Sequence, residues 1–353
     1  MSSLLSLADL GWQPYFQQQL THVELEACQP VRVMAVSRGE LTIHGSDGEF
    51  RLPISRQWLP DDEAARPTVG DWLLLDAQSH QPVKLLERKG LFQRRAPGER
   101  ASIQLIAANI DTVFIVSSCN DDFKLSRLER YLAVAYEAEV KPVFVFTKAD
   151  LCADPDHYRQ EALTLGKNLT VTTINARDRE SCRVLEPWLH GGQTITLIGS
   201  SGTGKSTLVN TLSGQEVQLT GAIRADDAKG RHTTTRRSMH RLESGTWLVD
   251  TPGMRELQLA ACEQGVAETF EEVAELKHMC RFNDCQHERE PGCAIREAIE
   301  SGTINQRRVE NYLKLMSEQQ RNSESIADRH KRSRSFSRHI KSVQSASKKK
   351  RGK

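Results

Sequence analysis

Residues 143–151 read VFVFTKADL, an apolar run of alternating valine and phenylalanine that breaks off at a lysine and an aspartate. Such a run suits a strand buried on both faces, because β-branched and aromatic side chains pack well on a pleated surface. Charged residues at the end of such a strand stand where open α/β sheets bind their ligands. The neighbouring text alternates in the same way. IDTVFIVSS (110–118) reads as a strand and LSRLERYLAVAYEA (125–138) as an amphipathic helix. A helix near 157–166 separates VFVFTKADL from the strand LTVTTINA (169–176), and TITLIGS (194–200) and TWLVDTPG (246–253) follow as further strands. Strands alternating with helices predict a mostly parallel sheet covered on both faces.

The chain has 353 residues, which suggests two or three domains. With 38% hydrophobic and 27% charged residues and no run of about 18 apolar residues, it reads as a globular protein without a membrane span. The first residues, MSSLLSLADLGWQPYF, lack a basic start and carry Asp9, so no secretory leader is read and a cytoplasmic location is expected. Charge is unevenly spread. From Arg329 onward there are eleven Lys or Arg and no acid, so the total of +2 leaves −9 on residues 1–328. A basic tail of this kind is expected to be disordered and to bind a polyanion.

Between residues 31 and 89 lie five short β-type runs, VRVMAV, ELTIHG, GEFRLPI, GDWLLLD and PVKLLER, which predict a small closed barrel, best matched by an oligonucleotide-binding (OB) barrel. RRAPGERAS reads as a polar linker, and beyond Gly265 the text turns helical, with VAETFEEVAELKHM and INQRRVENYLKLMSEQQRN. The expected organisation is an N-terminal extension (1–30), an OB barrel (31–98), an α/β domain (99–260), a helical domain (261–328) and the tail (329–353).

Gly199-Ser200-Ser201-Gly202-Thr203-Gly204-Lys205-Ser206, followed by Thr207, fits the phosphate-loop pattern G-x-x-x-x-G-K-[ST] and sits between a strand and the helical run STLVNTLSG. The glycines let backbone N–H groups face an anion, and the helix end beneath adds positive potential. Lys205 is expected to reach the β- and γ-phosphates and Ser206 to ligate Mg²⁺. Asp250 at the end of WLVDTPG can hold the same Mg²⁺, and Gly253 can offer an N–H to the γ-phosphate. In KGRHTTTRR (229–237), Thr234 is the favoured further Mg²⁺ ligand over Thr233 and Thr235. Met254 occupies the position after Asp-x-x-Gly where a glutamine often orients the attacking water, so slow unaided hydrolysis is expected.

Thr147-Lys148-Ala149-Asp150 is similar to the base-reading motif Asn-Lys-x-Asp of guanine-nucleotide proteins. An aspartate at the base edge accepts from the N1–H and 2-amino group of guanine, neither of which adenine offers. Lys148 can lie along the base, and Ala176 in INARD can donate its N–H to the guanine oxygen. Thr147 replaces the usual asparagine, which predicts retained specificity at modest affinity. An ATP-dependent kinase is disfavoured by the same motif. In ordinary small GTPases the phosphate loop precedes the base reader. Here it follows, as a circular permutation would leave it.

CRFNDCQHEREPGC contains Cys280, Cys285, His287 and Cys293, with His278 just upstream as an alternative fourth ligand. Three thiolates and an imidazole suit one closed structural Zn²⁺ site.

TKAD, GSSGTGKST, GRHTTT, DTPG and the cysteine cluster, in this order over roughly residues 30–325, resemble the ribosome small-subunit-dependent GTPase family RsgA (YjeQ/EngC). Members are circularly permuted GTPases set between an OB barrel and a zinc domain. The resemblance implies that His287 completes the zinc set and that His232 assists hydrolysis. It also implies a monomer that binds GTP and GDP, docks on the small (30S) ribosomal subunit and its rRNA in late maturation, and leaves after hydrolysis. An RNA-binding scaffold merely gated by GTP is the alternative.

Overall fold

The computed structural model describes residues 5–37, 39–55, 60, 62, 65–95, 103–214, 237–250 and 262–323. His232, Thr233, Thr234, Thr235, Gly253, Met254 and the basic tail lie outside the described residues.

Two short helices open the chain, α1 (Pro14–Gln17) and α2 (His22–Ala27). Thr21 and Glu24 cap α2 reciprocally, each side chain accepting the other residue's N–H, which satisfies two donors the helix leaves over. The five expected barrel strands follow as β1 (Cys28–Ser37), β2 (Glu40–Gly45), β3 (Gly48–Pro53), β4 (Trp72–Asp76) and β5 (Pro82–Leu85). Antiparallel ladders join them in the order β3-β2-β1-β4-β5. Among the described residues no ladder joins β3 to β5, so this OB-like barrel is partly open along that seam.

Alternation along the strands explains why GDWLLLD is apolar throughout. Leu73 and Leu75 join Val31, Val33, Leu41 and Ile43 inside the barrel. Trp72 and Leu74 face the other way and are buried with Leu10 and Phe16 of the N-terminal segment. Trp12 meets Trp72 edge-on at 4.8 Å, the geometry that aromatic quadrupoles favour.

The text read as a linker is flanked by an unexpected two-stranded ladder, β6 (Leu91–Arg95) and β7 (Ile103–Ala108). The alternating region then forms β8 (Thr112–Ser118), α3 (Leu125–Glu137), β9 (Lys141–Thr147), α4 (Pro155–Leu163), β10 (Thr170–Thr173), β11 (Thr194–Ile198), α5 (Lys205–Ser213), β12 (Arg237–Arg241) and β13 (Trp247–Asp250). The strands β10-β9-β8-β11-β13 are parallel, and β12 pairs antiparallel to β13. From β8 the chain builds outward through β9 and β10. It then returns to lay β11 against β8 and builds the other way, so the ends of β8 and β11 flank a switch point. Phe114, Val116, Val143 and Val145 bury one face with Leu208 of α5, and Val113, Ile115, Phe144 and Phe146 bury the other with Leu128 and Leu132 of α3.

β12, which the sequence reading did not anticipate, also pairs with β1 through Ala35↔Ser238 and Val36↔Arg237. Barrel and parallel sheet are therefore one continuous hydrogen-bonded surface. Arg32 is buried where they meet the N-terminal segment, donating to Thr194 Oγ1 (2.8 Å) and to the carbonyls of Leu10, Gly70 and Asn109. Its burial lowers the guanidinium pKa to about 10, which still leaves it charged at neutral pH.

Four helices complete the described chain: α6 (Glu263–Thr269), α7 (Glu271–His278), α8 (Ala294–Glu300) and α9 (Gln306–Ser323). VAETFEEVAELKHM, read as one helical run, breaks at Phe270, whose backbone leaves the helical region (φ −120°, ψ 43°) while its ring is buried 5.7 Å from Tyr312. α6 packs closely on α3. A Cβ at Gly265 would lie 2.0 Å from the Ala133 carbonyl oxygen, and the Gly265 N–H donates to Glu137.

Candidate functional site

β11 ends at Ile198 and the chain turns at once into the glycine loop that starts α5. Gly199 takes φ +147°, and a Cβ there would lie 2.1 Å from the Val116 carbonyl oxygen. Only glycine fits this close approach to β8. Gly204 caps α5 at φ 88°. Thr203 Oγ1 donates to the Ser200 carbonyl (2.9 Å), and the Lys205 ammonium lies on the carbonyl oxygens of Gly199 (2.7 Å) and Ser200. A glycine loop leading into a helix start, with a lysine beside it, is an arrangement suited to an anion.

β9 delivers Thr147, Lys148, Ala149 and Asp150 to the same edge. Lys148 adopts the left-handed conformation (φ 60°, ψ 30°), and Ala149–Leu151 close a single 3₁₀ turn that leaves Asp150 exposed. A non-glycine residue in that conformation at a ligand-binding edge is strain of the kind found at functional sites. Thr147 is wholly buried, and its hydroxyl donates to the Thr203 carbonyl at 2.7 Å. The short side chain thus ties the end of β9 to the glycine loop.

Ala176 follows β10 in a loop shaped by polar contacts. The Asn175 N–H donates to Ser181 Oγ (2.9 Å), Asn175 Oδ1 accepts the Arg177 N–H (3.0 Å), and the Ala176 carbonyl accepts from Thr211 Oγ1 (2.6 Å). Ser181 and Thr211 belong to no motif and were invisible to sequence reasoning.

These pieces line one cavity of ≈380 Å³, with Thr147, Lys148, Asp150, Asn175, Ala176 and Arg177 at one side and Ser201, Gly202, Gly204, Lys205, Ser206 and Thr207 at the other. Gly199, Ser200 and Thr203 complete the loop behind it. Asp250 ends β13, where the register Thr196↔Val249 sets it just short of the level at which β11 becomes the loop. A serine hydroxyl lining the cavity and a carboxylate at the end of the adjacent strand β13 are oxygen donors of the kind Mg²⁺ takes, so the chemistry of Ser206 and Asp250 suits that ion.

The second candidate site lies between α7 and α8. Cys280, Cys285, His287 and Cys293 bring their four ligand atoms within 4.8 Å of one another. His287 Nδ1 lies 3.6 Å from Cys280 Sγ and 3.5 Å from Cys293 Sγ, and those sulfurs are 4.0 Å apart. Tetrahedral Zn²⁺ with Zn–S of about 2.3 Å and Zn–N of about 2.0–2.1 Å requires ligand separations of about 3.5–3.8 Å; the two His287 contacts meet this and the remaining separations, up to 4.8 Å, exceed it by about 1 Å at most, so the donor set suits the ion and comes close to its shell. His278 is exposed at the end of α7 and stands outside the group. Burial pushes the Cys285 thiol up to about 11, a preference that a bound dication reverses. All eight cysteines are free of disulfides.

Glu290, which no spacing rule singled out, organises this loop. Its carboxylate accepts the N–H groups of Gln286 (2.9 Å), Glu288 (3.0 Å) and Arg289 (3.0 Å). Those bonds, first that from Gln286, hold its pKa down to about 2. They wrap the chain around His287, which sits at φ 64°.

Comparison with known proteins agrees with this geometry. The family model described as RsgA GTPase matches residues 85–260. One described as ABC transporter matches residues 185–338, a stretch that contains the phosphate loop. The chain is 48% identical over 342 residues to the small ribosomal subunit biogenesis GTPase RsgA 2 of Vibrio vulnificus, covering 96% of this chain and 95% of that protein. It is 46% identical over 321 residues to the small ribosomal subunit biogenesis GTPase RsgA of Mesorhizobium japonicum, covering 90% and 91%. In fold it is similar to the crystal structure of YjeQ from Thermotoga maritima (TM-score 0.59, 24% identity, 82% of this chain and 98% of that one). It is similar too to that of YloQ, a circularly permuted GTPase (TM-score 0.59, 22% identity, 86% and 99%).

Proposed function

This chain belongs to the RsgA family of GTPases, and on that premise we propose that it hydrolyses GTP on the small ribosomal subunit during late maturation and leaves once hydrolysis is complete. The observation that carries the guanine-nucleotide part is the single cavity shared by the Thr147–Asp150 segment and the phosphate loop. Asp150 accepts from the N1–H and 2-amino group of guanine, Lys148 lies along the base, and the Ala176 N–H meets the 6-oxo group. Backbone N–H groups of residues 199–207 and the Lys205 ammonium hold the phosphates. Ser206 and Asp250, with Thr234, would hold Mg²⁺, which would supply charge neutralisation at the phosphates.

Phosphoryl transfer needs positioning and electrostatic stabilisation more than covalent participation by the protein. With methionine at position 254, His232 is assigned to orient the attacking water when the subunit is bound. Gly253 contributes an N–H to the γ-phosphate. Cys280, Cys285, His287 and Cys293 hold one structural Zn²⁺, with no position left for a reacting water. The protein acts as a cytoplasmic monomer, and the barrel, zinc module and basic tail are its rRNA-contacting parts.

Hydrolysis of GTP, with and without purified small subunits, tests the reading. Strong stimulation is the expected result; its absence would favour an RNA-binding scaffold gated by nucleotide. Asp150→Asn should move preference from GTP toward xanthosine triphosphate, whose 2-oxo group accepts from an amide. His232→Ala should lose stimulated turnover yet bind GTP normally.

A further inference from the structure

The helix that starts at the phosphate loop also reaches the base-reading side. Thr211 lies on α5, and its hydroxyl oxygen is 2.6 Å from the Ala176 carbonyl oxygen and 3.1 Å from that of Thr207. A helical threonine usually returns its proton to the carbonyl four residues earlier. Here the shorter contact crosses to the loop after β10. The Ala176–Arg177 peptide is held at its other end by Asn175 Oδ1, which accepts the Arg177 N–H at 3.0 Å. Ala176 itself is 5% exposed and lines the cavity.

We propose that Thr211 is a specificity-determining positioning residue, which holds Ala176 so that its N–H meets the 6-oxo group of guanine and makes base selection depend on the seating of the phosphate-loop helix. A donor fixed at that point rewards an acceptor on the base and rejects adenine, whose 6-amino group is itself a donor. A donor free to swing away would discriminate less. The proposal rests on the guanine-nucleotide reading given above.

The full-length protein and its Thr211→Val and Thr211→Ser variants are compared for binding of GDP, 6-thio-GDP and ADP by competition with a fluorescent GDP analogue. Sulfur is a weak acceptor, so 6-thio-GDP already lacks most of the contact in question. Thr211→Val should weaken GDP about three- to tenfold, the worth of one hydrogen bond, and 6-thio-GDP by less than about twofold. Thr211→Ser, which keeps the hydroxyl, should restore the wild-type preference. Equal losses for the two nucleotides, or a serine variant as impaired as the valine one, would overturn the proposal. Should the valine variant melt abnormally, Asn175→Ala frees the same peptide from its other end and should narrow the same preference; an unchanged preference there would also overturn it. Wild-type protein that binds ADP as tightly as GDP would instead sink the guanine reading on which the proposal stands.

Discussion

Replacing Glu129 by alanine should cost about 3 kcal/mol, the low end of the range for breaking a buried ion pair. Glu129 lies on α3, is fully buried, and receives four hydrogen bonds from α9. Arg307 donates twice (2.9 and 3.0 Å), Arg308 once (3.0 Å), and Asn311 once (2.6 Å). The four contacts are not equal. The Arg307 side chain is 38% exposed, so water can replace the carboxylate and the loss there is below about 1 kcal/mol. Arg308 is 9% exposed and cannot be rehydrated in place, although Glu272 and the Thr269 carbonyl still hold it. That residual pairing is why the low end applies. The buried Asn311 amide adds the cost of an unsatisfied donor.

Urea denaturation combined with hydrogen exchange measures both the loss and its place, which should be residues 263–323, the module that α9 fastens to α3. A double-mutant cycle sharpens the test. Coupling between Glu129→Ala and Arg308→Ala should exceed that between Glu129→Ala and Arg307→Ala. A total loss below about 1 kcal/mol, or a larger coupling to the exposed Arg307, would refute the reasoning that burial sets the magnitude.

Four other outcomes follow from the same geometry. Arg130 donates two hydrogen bonds to Glu318 (2.6 and 2.5 Å), first among the causes that hold its carboxyl below the ordinary 4.5. A depressed pKa stabilises the fold above the unfolded value and ceases to as pH falls through the folded one. The stability gap between wild type and Glu318→Gln should therefore close on acidification below about 4.5; a gap that widens contradicts the pairing. Gly199→Ala sets a Cβ 2.1 Å from the Val116 carbonyl oxygen and should weaken GDP binding about 10- to 100-fold by distorting the loop, which a fluorescent-GDP titration reads directly. With Zn²⁺ held as proposed, a chelator should abolish exchange protection over residues 280–293 and leave the parallel sheet protected, and Glu290→Ala should lower Zn²⁺ affinity about 10- to 100-fold in a colorimetric competition. Unchanged affinity would leave Glu290 without a role in the loop.

Features that depend on neighbours in the chain were legible. The glycine loop, the cysteine cluster and the five barrel strands are short patterns whose chemistry is complete within a few residues. The order of TKAD before GSSGTGKST was enough to infer the permutation, because motif order is itself a property of the sequence. Placement of individual strands was less legible. RSMHR, which forms β12, has no clear apolar alternation and becomes a strand by pairing with β13 and β1. The helical break at Phe270 likewise follows from where its ring is buried.

What the sequence by itself determined, then, was the set of parts: a glycine loop between a strand and a helix, a TKAD segment at the end of a buried strand, a run of barrel strands and a cluster of cysteines with a histidine. Only the tertiary structure decided which parts touch. It joined the barrel to the parallel sheet through β1 and β12, buried Glu129 under two arginines of α9, tied Thr147 to Thr203, and set Thr211 against Ala176. An apolar pattern specifies that a face is to be buried but not against what, and a polar side chain carries its donors and acceptors without naming a partner. Those partners lie far off in the chain, and packing alone brings them together.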